Sequence, residues 1–223
     1  MNMINIKINN IHFREKKYIL SVIFSDILGI KVSYEICDID SYEIILPNNK
    51  KIIISDIFLL SQSHQKEWEE YKYPKSSFNT NIRMKKNHKL FGMYGNKDFN
   101  ITNESITINN DIIGSAFIFL SRIEELNLNH DKLNRYQYEN SLADRFDIIT
   151  RPIVNEYIEF LKDALSFFDS SIVFKKYSFD VMLTHDIDLI KRWTTKHLLK
   201  HSIINFGKKN YLNGFKEFMD SRK

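Results

Sequence analysis

Apolar residues recur every three or four positions between Lys16 and Leu28, which is the spacing of one face of an amphipathic helix. Gly29 follows at the position where a C-terminal cap is expected. The pattern therefore predicts a helix that ends near Gly29, with a buried face formed by Ile19, Leu20, Ile23, Phe24, Ile27 and Leu28.

The chain then alternates between apolar and polar side chains, which is typical of half-buried strands. Residues 32–36 and 42–46 show this alternation, and residues 47–49 supply a Pro-Asn-Asn turn before the apolar residues 51–54. We expect three strands here, the last two of which form a β-hairpin.

Residues 61–110 are mostly polar, so we expect irregular structure with one or two short strands near residues 99–108. A helix is predicted after Asp111, a favourable N-cap residue. A further helix is predicted after Thr150, with Thr150 as its cap and Pro152 in its first turn. Its buried face consists of Ile153, Tyr157, Ile158, Leu161 and Leu165.

These elements describe an α+β domain over residues 1–175, in which helices pack on a small antiparallel sheet. The composition, with 43% hydrophobic and 27% charged residues, is that of a globular protein. The formal net charge is +4, but the lysines are scattered along the whole chain, which argues against nucleic-acid binding. A single cysteine, Cys37, excludes an internal disulfide. We expect a cytoplasmic protein, because no apolar run reaches the roughly 18 residues of a membrane span and the N-terminus lacks a signal-peptide pattern.

The candidate chemistry lies in residues 177–183, an apolar run predicted to be a strand, and in the Thr-His-Asp-Ile-Asp sequence that follows. Reacting groups in α/β folds lie in loops at the carboxyl ends of strands. Two carboxylates at i and i+2, here Asp186 and Asp188, can divide the work of binding a divalent cation and taking a proton from water. The spacing is equally consistent with a polar turn that caps the next helix.

Residues 181–188, Val-Met-Leu-Thr-His-Asp-Ile-Asp, resemble the first motif of the polysaccharide deacetylase (NodB-homology) family. Residues 114–125 and 151–157 resemble the N-terminal domain of uncharacterised function that precedes the catalytic domain in one bacterial branch. The resemblance implies a metal-dependent deacetylase with a carbohydrate substrate, which removes an acyl group, typically acetyl, from an amino sugar. It makes Asp186 the general base and Asp188 a ligand of a divalent metal, which is Zn²⁺, Co²⁺ or Mn²⁺.

The same resemblance implies a deformed (β/α) barrel, a fold that typically needs about 200 residues or more. Asp188 is followed by only 35 of the 223 residues. We therefore interpret residues 176–223 as the first strand and helix of an incomplete α/β domain, and the chain as an N-terminal fragment that is inactive alone.

His197 and His201 stand at i and i+4, a spacing that can bind a metal and that the family's own pair of metal histidines shares. However, the serine or threonine that follows the first histidine in the family is missing. We interpret the two residues as a chance pair on a solvated helix face.

Three other functions stay open. A glycosyltransferase can use Asp-x-Asp to hold a cation against a nucleotide diphosphate, but we see no βαβ succession or Gly-rich turn before Asp186. A phosphohydrolase with an aspartate nucleophile usually has Thr or Val where this chain has Ile190. A non-catalytic interaction or carbohydrate-binding module with a vestigial motif fits the residues as well.

We expect structural rather than catalytic roles for several other charged residues and for the isolated histidines. A buried ion-pair network is expected between the second and third helices, built by Arg122, Glu124, Glu125, Arg145 and Arg151. The isolated histidines are expected at the surface, namely His12, His64, His88 and His130.

Overall fold

The computed structural model describes residues 3–61, 73–127 and 130–186 together with residues 200 and 204. The chain divides into two compact units, residues 1–176 and residues 177–223.

Eight strands occur in the described part of the first unit. They are β1 (Ile4–Ile8), β2 (Val32–Ile36), β3 (Ser41–Ile45), β4 (Lys51–Ser55), β5 (Phe78–Arg83), β6 (Asn87–Gly92), β7 (Gly95–Ile101) and β8 (Ser105–Asn110). The predicted strand β2 and the predicted hairpin β3–β4 are confirmed. The prediction for residues 61–110 is wrong in part, because this region contains four strands rather than one or two.

The helices are α1 (Phe13–Leu20), α2 (Phe58–Ser61), α3 (Ile112–Ser121), α4 (Leu142–Arg145) and α5 (Ile153–Phe168). Helix α1 continues as a π-helical segment, Ser21–Ile27, and Gly29 follows with the positive φ of a helix end. The three predicted helices are thus confirmed. The prediction that Thr150 caps α5 is wrong, because Pro152 occupies the N-cap position and makes no side-chain capping bond there.

The strands form a six-stranded sheet in the order β2-β1-β3-β4-β8-β7 and a separate hairpin, β5–β6. The pairs β1–β2 and β4–β8 are parallel, whereas the other neighbours are antiparallel. The α+β class is therefore confirmed, but the large sheet is mixed rather than antiparallel. Strands β1 and β2 flank α1, so the first unit contains the βαβ succession that we did not see in the sequence. The connection from β1 to α1 contains no glycine.

The core lies on one face of the large sheet. Alternate strand residues are buried there. Helix α3 is buried along most of its length, because its own sequence is apolar on nearly every side of the helix. Helix α3 contacts both α1 and α5, and α5 also contacts β6. The sheet residues that carry this core are Ile4, Ile6, Ile8, Tyr42, Ile44, Ile52, Ile54, Ile106 and Ile108.

No helix among the described residues is long and apolar enough to cross a membrane.

Candidate functional site

The sequence-predicted motif lies in the second unit. Asp186 is described and is exposed, as are the neighbouring Thr184 and His185. The predicted metal ligand Asp188 and the pair His197 and His201 lie outside the described residues. Among the residues that the structure describes, no three His, Cys, Asp or Glu side chains group to hold a metal ion.

The predicted strand over residues 177–183 is wrong, because the structure assigns no strand to residues 173–186. A strand needs a neighbour for its backbone N–H and C=O groups, and the described residues provide none for this segment. Its apolar side chains are exposed instead, with Phe179 at 93% and Leu183 at 88% exposure. We refer to residues 177–186 as the exposed segment.

A second aspartate-containing site was missed by the sequence analysis and lies inside the first unit. Lys16 of α1 is fully buried and forms an ion pair with Asp56, which follows β4. The Tyr42 hydroxyl donates to Asp56 Oδ1 over 3.0 Å, and the Lys16 ammonium lies 5.8 Å from the Tyr42 ring centroid. These contacts place a buried cation next to a carboxylate and an aromatic face.

Asp111 completes this site as the N-cap of α3, the role that its position in the sequence predicts. Its Oδ1 accepts from the Gly114 backbone N–H at 2.7 Å. Its Oδ2 accepts from the N–H groups of Ile57 and Phe58 at 2.9 and 2.8 Å. One carboxylate therefore binds the N-terminal ends of α2 and α3, where backbone N–H groups lack helical partners.

The glycine at position 114 allows this approach. A Cβ atom built on Gly114 would lie 2.9 Å from both the Asp111 carboxyl carbon and the Phe58 Cβ, closer than such atoms normally come. We refer to Lys16, Tyr42, Asp56 and Asp111 as the buried charge cluster.

Burial, with a smaller contribution from the negative charge of Asp56, raises the pKa of Asp111 to about 7. The backbone N–H donors of Phe58, Gly114 and Ile57 act in the opposite direction. All four side chains of the cluster are buried, so a substrate has no route to them. The cluster joins α1, the large sheet, α2 and α3. We therefore interpret it as a structural site that stabilises the first unit.

A third group of polar residues connects α5 to the hairpin β5–β6. His88 Nε2 lies 3.0 Å from Asp163 Oδ2, and the Lys86 backbone N–H donates to the same oxygen at 3.0 Å. His88 was predicted at the surface, but it is buried because the α5 residues Asp163 and Phe160 cover it. A histidine in a polar strand gives no sequence signal for a carboxylate partner 75 residues away.

The predicted buried ion-pair network between the helices is also wrong. Arg122 pairs with Glu125 within the same turn, and its side chain is exposed. Glu124 accepts instead from the Leu142 backbone N–H at 2.8 Å. Arg151 forms a bidentate pair with Glu156, in which Nη2 lies 2.5 Å from Oε2. Of the other isolated histidines, His130 is exposed as expected, His12 is half-buried beside Glu15, and His64 lies outside the described residues.

Comparison with known proteins assigns the first unit to a family. Residues 4–170 match the model of the Family of unknown function (DUF7033), so the chain belongs to this family. The match lies within the first unit and ends before the exposed segment. No curated protein matches the chain, and neither does any solved structure.

Proposed function

We propose that this chain carries the accessory domain and the first catalytic motif of a metal-dependent carbohydrate deacetylase, which hydrolyses the amide of an N-acetylated sugar. The observation that supports the proposal most is the sequence of residues 181–188, in which an apolar run leads into Thr-His-Asp-Ile-Asp. Residues 176–223 are accordingly proposed to begin a deformed (β/α) barrel.

The described part of the motif fits the chemistry of such a site. The Asp186 carboxylate is exposed, so it is accessible to water and to a substrate. The Asp188 carboxylate offers the oxygen ligands that divalent cations accept. A divalent cation, when bound, polarises the amide carbonyl as a Lewis acid.

Asp186 then acts as general base, because its carboxylate accepts a proton from the attacking water. His185 is a neighbour of this base rather than a reacting group. The exposed Val181, Met182 and Leu183 are the residues that further strands of the barrel would cover.

The experiment measures acetate release from N-acetylated oligosaccharides by the full-length protein that the gene encodes, with and without added Zn²⁺ or Co²⁺. Asp186→Asn is expected to lower kcat by about 10²- to 10⁴-fold while metal binding is retained, because only the base is lost. Asp188→Asn is expected to abolish metal binding measured by calorimetry.

The matched control is Asp180→Asn, the same substitution in the same exposed segment, and it should leave both quantities unchanged. Absence of metal-dependent acetate release, or equal activity in all three variants, would rule the proposal out.

A further inference from the structure

A cleft lies between strand β6 and the first turns of helix α5, at a distance in sequence from the proposed catalytic motif. Its volume is about 360 Å³, which is within the range of small-molecule sites. It is lined by residues 87–90 of β6 and by Arg151, Pro152, Asn155, Glu156 and Glu159. We refer to this cavity as the α5 cleft.

The walls of the α5 cleft are held in place by hydrogen bonds between α5 and the hairpin. The Tyr157 hydroxyl donates to the Phe91 carbonyl over 2.9 Å, which ties α5 to β6. Arg151 donates to the Asn79 side chain at 2.8 Å and to the Lys89 carbonyl at 3.1 Å, which ties the start of α5 to both hairpin strands. The cleft is therefore preformed, and a ligand does not have to order it.

His88 gives the α5 cleft a fixed hydrogen-bonding group. The side chain is more than nine-tenths buried, and its Nε2 donates to the Asp163 carboxylate. No described residue hydrogen-bonds the other ring nitrogen, Nδ1. With the proton on Nε2, Nδ1 keeps its lone pair and can accept from a hydroxyl or amide N–H of a ligand.

The charges that line the α5 cleft balance. Lys89 and Arg151 are positive, and Glu156 and Glu159 are negative. Arg151 is already paired with Glu156, and Glu159 with Lys162 at 2.7 Å. Lys89 has no ion-pair partner among the described residues, but side chains alternate along β6, and its exposed side chain lies on the face opposite to the buried His88 and Leu90. The charges on the face towards α5 are therefore already paired, so the lining favours a neutral ligand.

The neutral ligand must combine apolar faces with many hydroxyl groups. Leu90 is buried, but the exposed Pro152 offers aliphatic surface, while Asn87, Asn155 and the Arg151–Glu156 pair offer planar donors and acceptors. A sugar ring has this dual character, with C–H groups on its faces and hydroxyls at its edge. A second cavity of about 350 Å³ adjoins the cleft, shares Arg151, Pro152 and Asn155 with it, and adds the aromatic ring of Phe119. The two cavities together can hold more than one ring.

We propose that the α5 cleft and its adjoining cavity bind a neutral saccharide chain, so that the first unit is a carbohydrate-binding domain. The suggestion that the saccharide consists of N-acetylated amino sugars rests on the proposed function. The proposal that the cleft binds a neutral saccharide rests on the cleft alone.

The test titrates the present chain with the di- and trisaccharide of N-acetylglucosamine and follows backbone amide signals by NMR. Binding in the millimolar range or tighter is expected, with shifts confined to residues 87–90, 151–156 and the Phe119 region. Asn155→Trp should weaken binding by about tenfold or more, because the exposed Asn155 lines both cavities and an indole there would fill them. His88→Gln should also weaken binding, since the acceptor at Nδ1 is lost.

The matched control is Asn100→Ala on the exposed edge strand β7, which should bind as the unchanged protein does. Unchanged binding in the double variant Asp186→Asn/Asp188→Asn would separate this site from the proposed catalytic motif. Saccharide binding without any acetate release would overturn the proposed function but not this inference. No shifts at saturating trisaccharide, or equal affinity in Asn155→Trp, would overturn the inference.

Discussion

Asp111 and Asp186 show how differently one residue type is used in the two units. Asp111 lies in the buried charge cluster, where three backbone N–H groups bind its carboxylate. Asp186 lies at the end of the exposed segment and follows apolar residues whose side chains are exposed as well. The comparison teaches that the first unit uses its buried charges to hold elements together, whereas the exposed segment keeps its carboxylate accessible.

The largest effect is expected from breaking the buried ion pair. Lys16→Met keeps the length of the side chain but leaves Asp56 as an uncompensated buried charge, which should lower the free energy of unfolding by about 3–5 kcal/mol. Urea denaturation measures this change. The double variant Lys16→Met/Asp56→Asn should recover part of the loss, because both charges are then removed. If Lys16→Met is as stable as the unchanged protein, the cluster has no role in stability.

The same substitution at two leucines sharpens the contrast between the units. Leu161→Ala in the buried face of α5 should cost about 2–5 kcal/mol, because it creates a cavity in the core. Leu183→Ala in the exposed segment should change stability by no more than about 0.5 kcal/mol. Thermal and urea unfolding of the two variants give the comparison directly. A large loss at Leu183 would mean that the exposed segment contributes to a core.

The pH dependence of stability depends on Asp111. Its pKa in the folded protein, about 7, lies above the ordinary value of 3.8. At a pH between these two values, the folded state therefore binds more protons than the unfolded state does. Stability is therefore expected to be highest below about pH 4 as far as this group is concerned, and to fall by up to about 1.4 kcal/mol per pH unit as the pH rises towards 7. Urea midpoints across this range measure the slope. Asp111→Asn should flatten it, and an equal slope in that variant would assign the dependence to other groups.

The smallest effect on folding is expected at Asp186. Asp186→Asn should leave the free energy of unfolding within about 0.5 kcal/mol of the unchanged protein, because the side chain is exposed. This stability measurement complements the activity assay, since a loss of acetate release without a loss of stability identifies a catalytic role. A strongly destabilised variant would instead identify Asp186 as structural.

Local patterns predicted the elements with strong periodicity. The apolar stripe before Gly29 and the stripe of α5 led to correct helices, and Asp111 was recognised as a helix cap from its residue type and position. The strand β1 was missed although Ile4, Ile6 and Ile8 alternate with polar residues, and β5 and β6 were missed because their sequences are rich in Asn and Lys. Such polar residues fit a strand only because the partner strand and α5 cover alternate positions.

The sequence by itself determined the motif at Asp186 and Asp188, the helical stripes and the cap at Asp111, because each depends on residues close together in the chain. Only the tertiary structure decided that Asp111 also binds the start of α2, that Lys16 finds Asp56, and that His88 faces Asp163. These partners are separated by 40 or more residues, and local periodicity holds no information about which distant side chains will meet. A buried charge is stable only when folding also brings its partner next to it. The tertiary structure therefore decides both the burial and the pairing.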